Sequence, residues 1–309
     1  MGDATGIEWT NATVNFWWGC TKVGPGCDHC YAETWSGRFG ESLWGVGAPR
    51  RKIKGAAALL HRLDNNYAEW AADATCRVEN AKVFGLPVPN LDTTRRVFIQ
   101  SMSDLFDLEV ELAWFDEAWQ HIEACRRLSL QIVTKRISAV EKRLAAIGRS
   151  TWPKHAGLIV TVVDQKEADR DIPRFIELKK RLGIPWIGLS IEPMLGPIDL
   201  TPWLADLDWV ICGGESGSAA RPLHPDWVRG LRDQCTAAGA AFFFKQWGEF
   251  SAALEPGTAV NLDHLPKSDS VAWGDGETCH LRYRRIGKKA AGRLLDGVEH
   301  NAMPEVRHG

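Results

Sequence analysis

The chain has 309 residues, with 37 Lys and Arg against 39 Asp and Glu, for a formal net charge of −2. That length suits one large domain or two small ones, and the 45% hydrophobic and 25% charged fractions exclude a disordered chain. No stretch reaches the roughly 18 apolar residues of a membrane span, and the start, MGDATGIEWT, lacks the basic and apolar parts of a secretion signal. Near-neutral charge excludes a wholly basic nucleic-acid binder but leaves room for a local patch. The expectation is a soluble, cytoplasmic, globular protein with no membrane partner.

In chain order, a first strand is expected over Val14 to Trp18, ahead of a cysteine-rich loop. Helical sequence over Gly55 to Ala74 belongs to an insertion of about residues 40–95. From Val97 onward, short apolar runs alternate with helical patterns. The runs are Val97 to Met102, Leu130 to Lys135, Leu158 to Val163, Trp186 to Pro193, Trp209 to Glu215 and Ala241 to Trp247. They are almost continuously apolar, as strands buried on both faces are. Between them Glu109 to Arg127, Ala139 to Gly148, Gln165 to Leu182 and Pro225 to Ala238 read as helices.

This alternation gives parallel βαβ units. It predicts an α/β fold: a partial or complete TIM-like β/α barrel of about six to seven strands over residues 1–250, with the insertion after the first strand. Residues 251–309 are expected to form a C-terminal extension that packs on the barrel mouth. Its segment Arg282 to Arg293 holds six positive and no negative charges, which suits a solvated surface or a phosphate contact. Polar residues gather at the C-terminal ends of the runs: Ser101, Ser103 and Asp104; Thr134 and Lys135; Asp164; Glu192; Glu215; Lys245 and Gln246. In β/α barrels that end carries the active site, although a cap or turn explains any one of them alone.

Fifteen Trp against three Tyr point to an aromatic core or cleft. Of eight Cys, Cys76, Cys125, Cys212, Cys235 and Cys279 stand singly, whereas Cys20, Cys27 and Cys30 share the segment GCTKVGPGCDHCYAE. Six residues separate the first two and two the second pair, and Gly24, Pro25 and Gly26 let the loop fold back. From spacing alone, three readings stay open: an iron–sulfur cluster with one exposed iron, a structural zinc completed from elsewhere, and unligated thiols.

The run from Asn15 to Ala32 resembles the radical S-adenosylmethionine superfamily, most closely its spore photoproduct lyase branch, in which a strand ending in Gly-Cys leads to Cys-x2-Cys-Tyr-Ala. Over its whole length the chain also resembles a phage-associated three-cysteine family of unknown function. The shared pieces include IEWT from Ile7, SMSDLF from Ser101, TKR from Thr134, IEPMLGPI from Ile191, GGESG from Gly213, FFFKQWGEF from Phe242 and GKKAAGRLLDG from Gly287. The resemblance implies a 4Fe–4S cluster on Cys20, Cys27 and Cys30, with S-adenosylmethionine on the open iron. Reduction would then yield a 5′-deoxyadenosyl radical that abstracts a substrate hydrogen. It further implies an electron donor such as flavodoxin or ferredoxin, a nucleic-acid base or nucleotide as substrate in repair or modification, and a bacterial cytoplasm, the gene belonging to host or phage. The superfamily's usual loop has three residues between its first two cysteines, where this one has six.

A bound S-adenosylmethionine needs an acceptor for its ammonium, and Asp104 is expected there, beside Ser101 and Ser103. Thr134, Lys135, Thr161, Asp164, Glu192, Gly213 and Gly214 complete the expected cofactor-binding set. Cys212, Glu215 and Lys245 are the candidate catalytic residues, with Cys212 as a hydrogen-atom donor. Each also has a plain reading: Asp104 as a helix cap, Cys212 as a buried small hydrophobe, and Lys135, Arg136, Arg221 and Lys245 as counter-charges rather than binders of phosphate or carboxylate. Two other function classes stay open. One is a non-catalytic nucleic-acid-binding phage protein stabilised by a cluster or zinc; the other is a metal-dependent hydrolase using Asp104, Asp164, Glu192 and Glu215.

Overall fold

Successive side chains of a strand point to opposite faces, so each apolar run is divided between two environments. The computed structural model describes residues 2–40, 42–86, 94–250, 270–273 and 281–304. Seven strands lie side by side in sequence order: β1 (Ala12–Val14), β2 (Arg96–Ile99), β3 (Ser129–Thr134), β4 (Ala156–Thr161), β5 (Ile187–Ile191), β6 (Trp209–Gly213) and β7 (Ala241–Gln246). All neighbours are parallel. The sheet curls into a half-barrel, the partial form of the expected α/β fold.

Helices α1 (Tyr31–Gly37), α2 (Ala56–Asn65) and α3 (Tyr67–Val83) lie between β1 and β2, and α2 and α3 form most of the expected insertion. The helices α4 (Leu112–Ala124), α5 (Ile137–Ala146), α6 (Gln165–Leu182) and α7 (Pro225–Ala238) return the chain between later strands. A short α8 (Lys288–Ala291) follows the sheet. Of the expected extension, residues 251–269, 274–280 and 305–309 lie outside the described residues, as does Cys279.

One face of the curl packs on the helices. Val97, Ile99, Leu130, Ile132, Leu158, Val160, Val210, Cys212, Phe242 and Phe244 form a single core with Trp119, Val140, Phe175 and Leu231. Their alternates Phe98, Ile159, Ile211 and Phe243 point inward, where they join Trp9, Trp186 and Trp209 in a second cluster. Each fully buried large side chain contributes about 1.5–3 kcal/mol, and a register slip of one residue would exchange the two faces. Trp186 lies across the inner floor because β4 carries a glycine there: a Cβ on Gly157 would stand 2.0 Å from the indole. Three of the fifteen Trp thus fill the inside of the half-barrel, and Trp17, Trp119, Trp152 and Trp247 belong to the helix-packed core.

The first strand differs from expectation. It covers Ala12–Val14, whereas Trp17–Trp18 leaves the sheet to pair antiparallel with Arg51–Lys52. The side chain of Asn15 causes the break, its Oδ1 accepting from the Met102 N–H at 2.8 Å and its Nδ2 donating to Ser101 Oγ at 3.0 Å. Each outer strand carries a short antiparallel bridge on its free margin. Gly2 bridges Thr13 on β1, and Asn301 bridges Phe243 on β7, each antiparallel.

Candidate functional site

A cavity of about 390 Å³ opens at the C-terminal ends of the strands. Its apolar floor includes Ile7, Trp9, Phe98 and Val133, and its wall holds all three clustered cysteines. Cys20, Cys27 and Cys30 are half-buried free thiols. Ser101, Ser103, Asp104, Thr134, Lys135, Thr161, Glu192, Gly214, Glu215 and Lys245 line the same space. Thirteen separately expected residues thus meet in one place. Strand parity accounts for several of them: Thr161 shares the inward face with Ile159, Glu192 with Ser190, and Lys245 with Phe243.

Three expected residues do not line the cavity. Cys212 lies on the helix-packed face, fully buried with its Sγ 3.6 Å from Met194 Sδ, and burial pushes its thiol far above the ordinary value. Asp164 caps α6, accepting from the Glu167 N–H at 2.8 Å. Gly213 sits behind the Glu192 carboxylate. Cys212 as a hydrogen-atom donor is therefore corrected to a core residue, and Asp164 to a cap.

Asp104 lines the cavity, but its carboxylate is taken up by the protein. Oδ1 accepts from the Phe106 N–H, Oδ2 from the Lys135 N–H, and the Thr134 hydroxyl lies within 3.0 Å of both. Burial raises its pKa, and Arg136 with these donors only partly offsets that. The residue ties β2 to the turn after β3. Glu192 pairs with Lys245 Nζ at 2.8 Å and accepts from Ser190 Oγ at 3.2 Å. The Lys135 Nζ lies 3.4 Å from the Thr161 hydroxyl. The four acids proposed for a hydrolase do not gather round a common point; each is engaged by its own partners.

The cysteine loop crosses the mouth from one side to the other. Near its start, Arg136 donates to the Thr21 carbonyl and approaches Cys20 Sγ at 3.5 Å. Arg50 donates to Thr21 Oγ1 and pairs with Asp107 at 2.9 Å and Glu109 at 3.2 Å. Burial and the Asp104 charge push the Cys20 thiol up to about 12, against the lowering effect of Arg136. Midway, Gly26 passes so close to the turn after β4 that a Cβ would stand 2.6 Å from Val163 Cγ1. On the far side, Arg221 donates to the Pro25 carbonyl at 2.9 Å, and His29 Nδ1 lies 3.0 Å from Glu215 Oε2. The chain then returns to β2, where Tyr31 donates to the Ser101 carbonyl. The six-residue spacer is what lets the loop reach from β3 to the end of β6.

Sequence reasoning missed Gln100, Ser190, Arg50 and Lys288. Gln100 has φ of 66° and accepts from the Phe16 N–H, fixing the exit of β1; left-handed backbone at a non-glycine residue costs about 1–2 kcal/mol. Ser190 was recoverable from strand parity alone. Lys288, from α8, is among the residues that line the cavity. Among the described residues, no three His, Cys, Asp or Glu side chains stand close enough to share one metal ion, and no helix is long and apolar enough to cross a membrane.

Comparison with known proteins places the chain as follows. The family described as "Protein of unknown function (DUF5131)" matches residues 4–304. No curated protein matches. The solved structure of a spore photoproduct lyase complexed with dinucleoside spore photoproduct is similar at 15% identity and TM-score 0.36, over 71% of this chain and 59% of that one. A doubly substituted spore photoproduct lyase with bound AdoMet and the same dinucleoside is similar at 13% identity and TM-score 0.37, over 89% of this chain and 68% of that one.

Proposed function

The chain belongs to the DUF5131 family, and from that premise we propose that it is a radical S-adenosylmethionine enzyme acting on a nucleic-acid base or nucleotide. The observation that carries the proposal is the meeting of three free, half-buried thiols in one cavity at the C-terminal mouth of a parallel half-barrel. The donor set fits an iron–sulfur cluster: thiolates are its usual ligands, and three of them leave a position for a second ligand. A structural zinc is normally closed by four protein ligands, and the loop itself supplies three thiols.

Cys20, Cys27 and Cys30 would hold the cluster. With S-adenosylmethionine bound, the cluster would supply the one electron, taken from a donor such as flavodoxin or ferredoxin, that cleaves the sulfonium to methionine and a 5′-deoxyadenosyl radical. The protein's own part is orientation and exclusion of water. Trp9, Phe98 and Val133 form a dry floor. Thr161 keeps its hydroxyl donor for a ribose or carboxylate oxygen, whereas the hydroxyls of Ser101, Ser103 and Thr134 line the same space with partners already made inside the protein. Asp104 positions the turn that carries Thr134 and Lys135, because its oxygens are already occupied. The cofactor ammonium falls instead to Glu192, whose carboxylate keeps acceptor capacity beside Ser190 and Lys245. Lys135 and Lys245 keep N–H donors for a phosphate or carbonyl oxygen of the substrate.

The test is anaerobic reconstitution with iron and sulfide, then reduction in the presence of S-adenosylmethionine. The expected result is a brown protein with about four irons per chain that forms 5′-deoxyadenosine, and loss of that product in Cys27→Ala. A colourless protein holding one zinc and forming no 5′-deoxyadenosine would sink the proposal.

A further inference from the structure

The segment that carries Cys27 and Cys30 is almost unsupported by its own strand. Among the described residues, every hydrogen bond that residues 23–30 make to distant parts of the chain runs to Glu215 or Arg221, beyond the end of β6. Arg221 sits at the centre. Its Nε and Nη2 fork onto the two Glu215 oxygens at 2.8 and 2.7 Å, its Nη2 also donates to the Pro25 carbonyl at 2.9 Å, and its Nη1 faces Asp28 Oδ2 at 3.4 Å. Glu215 accepts the Arg221 backbone N–H as well, at 2.8 Å, and its Oε2 meets His29. The Glu215 side chain is only 5% exposed, so its orientation is fixed by these donors.

We propose that Arg221, oriented by Glu215, is a positioning residue that clasps the middle of the cysteine loop across the mouth and presents Cys27 and Cys30 to the cluster. The inference rests on the cluster reading and adds to it an explanation of the long spacer. A loop with six residues between its first two cysteines is free to sag, and a clasp on the far side of an open sheet removes that freedom. Arginine is suited to the task because one planar fork serves the carboxylate while its outer N–H groups reach Pro25 and Asp28; a lysine has no such geometry.

The test measures release of iron to a ferrous chelator from the anaerobically reconstituted full chain, together with the electron paramagnetic resonance line shape of the reduced cluster before and after S-adenosylmethionine is added. Arg221→Leu is expected to release iron about tenfold faster than the parent, the factor set by losing one strong charge-assisted contact, and to lose the line-shape response. Arg221→Lys is expected to fall between the two. Arg232→Leu serves as the control at parental rate, because Arg232 pairs with Asp233 and Asp296 away from the loop. Equal release rates for parent and Arg221→Leu overturn the inference; if Arg221→Leu does not fold, as judged by circular dichroism, Arg221→Lys decides by the same criterion. A parent that never takes up iron overturns the cluster reading itself, and the two failures are told apart by the parent's iron content.

Discussion

At one end of the cysteine loop the charges are buried; at the other they stand partly in water. Beside Cys20, the side chains of Arg50 and Asp107 are 3% and 2% exposed. Around Cys27 and Cys30, Arg221 is 29% exposed, His29 33% and Asp28 53%. A buried ion pair cannot be opened without stranding a bare charge, whereas water can replace half-exposed partners at small cost. The loop is therefore fixed most rigidly at its Cys20 end, while the far end hangs on Arg221 and the buried Glu215 carboxylate, with His29 and Asp28 partly in water.

The largest effect should follow from breaking the fixed end. Arg50→Leu removes both short donors to the buried Asp107 carboxylate and leaves it a longer 3.8 Å contact with Arg136, so urea unfolding should show a loss of about 3–5 kcal/mol. A loss below 1 kcal/mol would erase the contrast between the two ends. Glu215→Gln probes the other end and should cost about 1–3 kcal/mol near neutral pH. Burial alone would raise the Glu215 carboxyl, but Arg221 and His29 together hold it below its ordinary value. A depressed acid stabilises the fold above its unfolded pKa, and that contribution is lost as pH falls through the folded one. The gap between parent and Glu215→Gln, followed by urea midpoints, should therefore close as pH drops below the usual carboxylate range; a gap that widens there contradicts the assignment.

Asp104→Asn sharpens the comparison from beneath the loop. Asparagine keeps one acceptor oxygen for the contacts that Asp104 makes to Phe106, Thr134 and Lys135. The expected loss is about 1–2 kcal/mol, with the iron content of the reconstituted protein retained. The smallest effect belongs to Cys212→Ala. It should leave 5′-deoxyadenosine formation at the parental level, since Cys212 faces Met194 and the helices; abolished formation would return Cys212 to the site.

Much of this was legible in the sequence because strands bury period-two patterns and end in polar residues. The strand ends brought Ser101, Thr134, Thr161, Glu192 and Lys245 to one mouth, and parity would also have turned Cys212 outward, since its neighbour Ile211 faces inward with Trp209. The end of the first strand was not legible, because Asn15 breaks it through contacts to Ser101 and Met102. Nor was the support of the cysteine loop. Arg136 reaches Cys20 across 116 residues of sequence and Arg221 reaches Pro25 across 196, and no local pattern encodes a partner that far away.

The bridging of both sheet margins by Gly2 and Asn301 bears on assembly. An unpaired strand margin is the ordinary docking rail for a neighbouring copy or an extended peptide. Here the Thr13 N–H and C=O are already spent on Gly2, and the Phe242 C=O and Phe244 N–H on Ala302 and His300, so an eighth strand would have to displace those contacts before it could pair there.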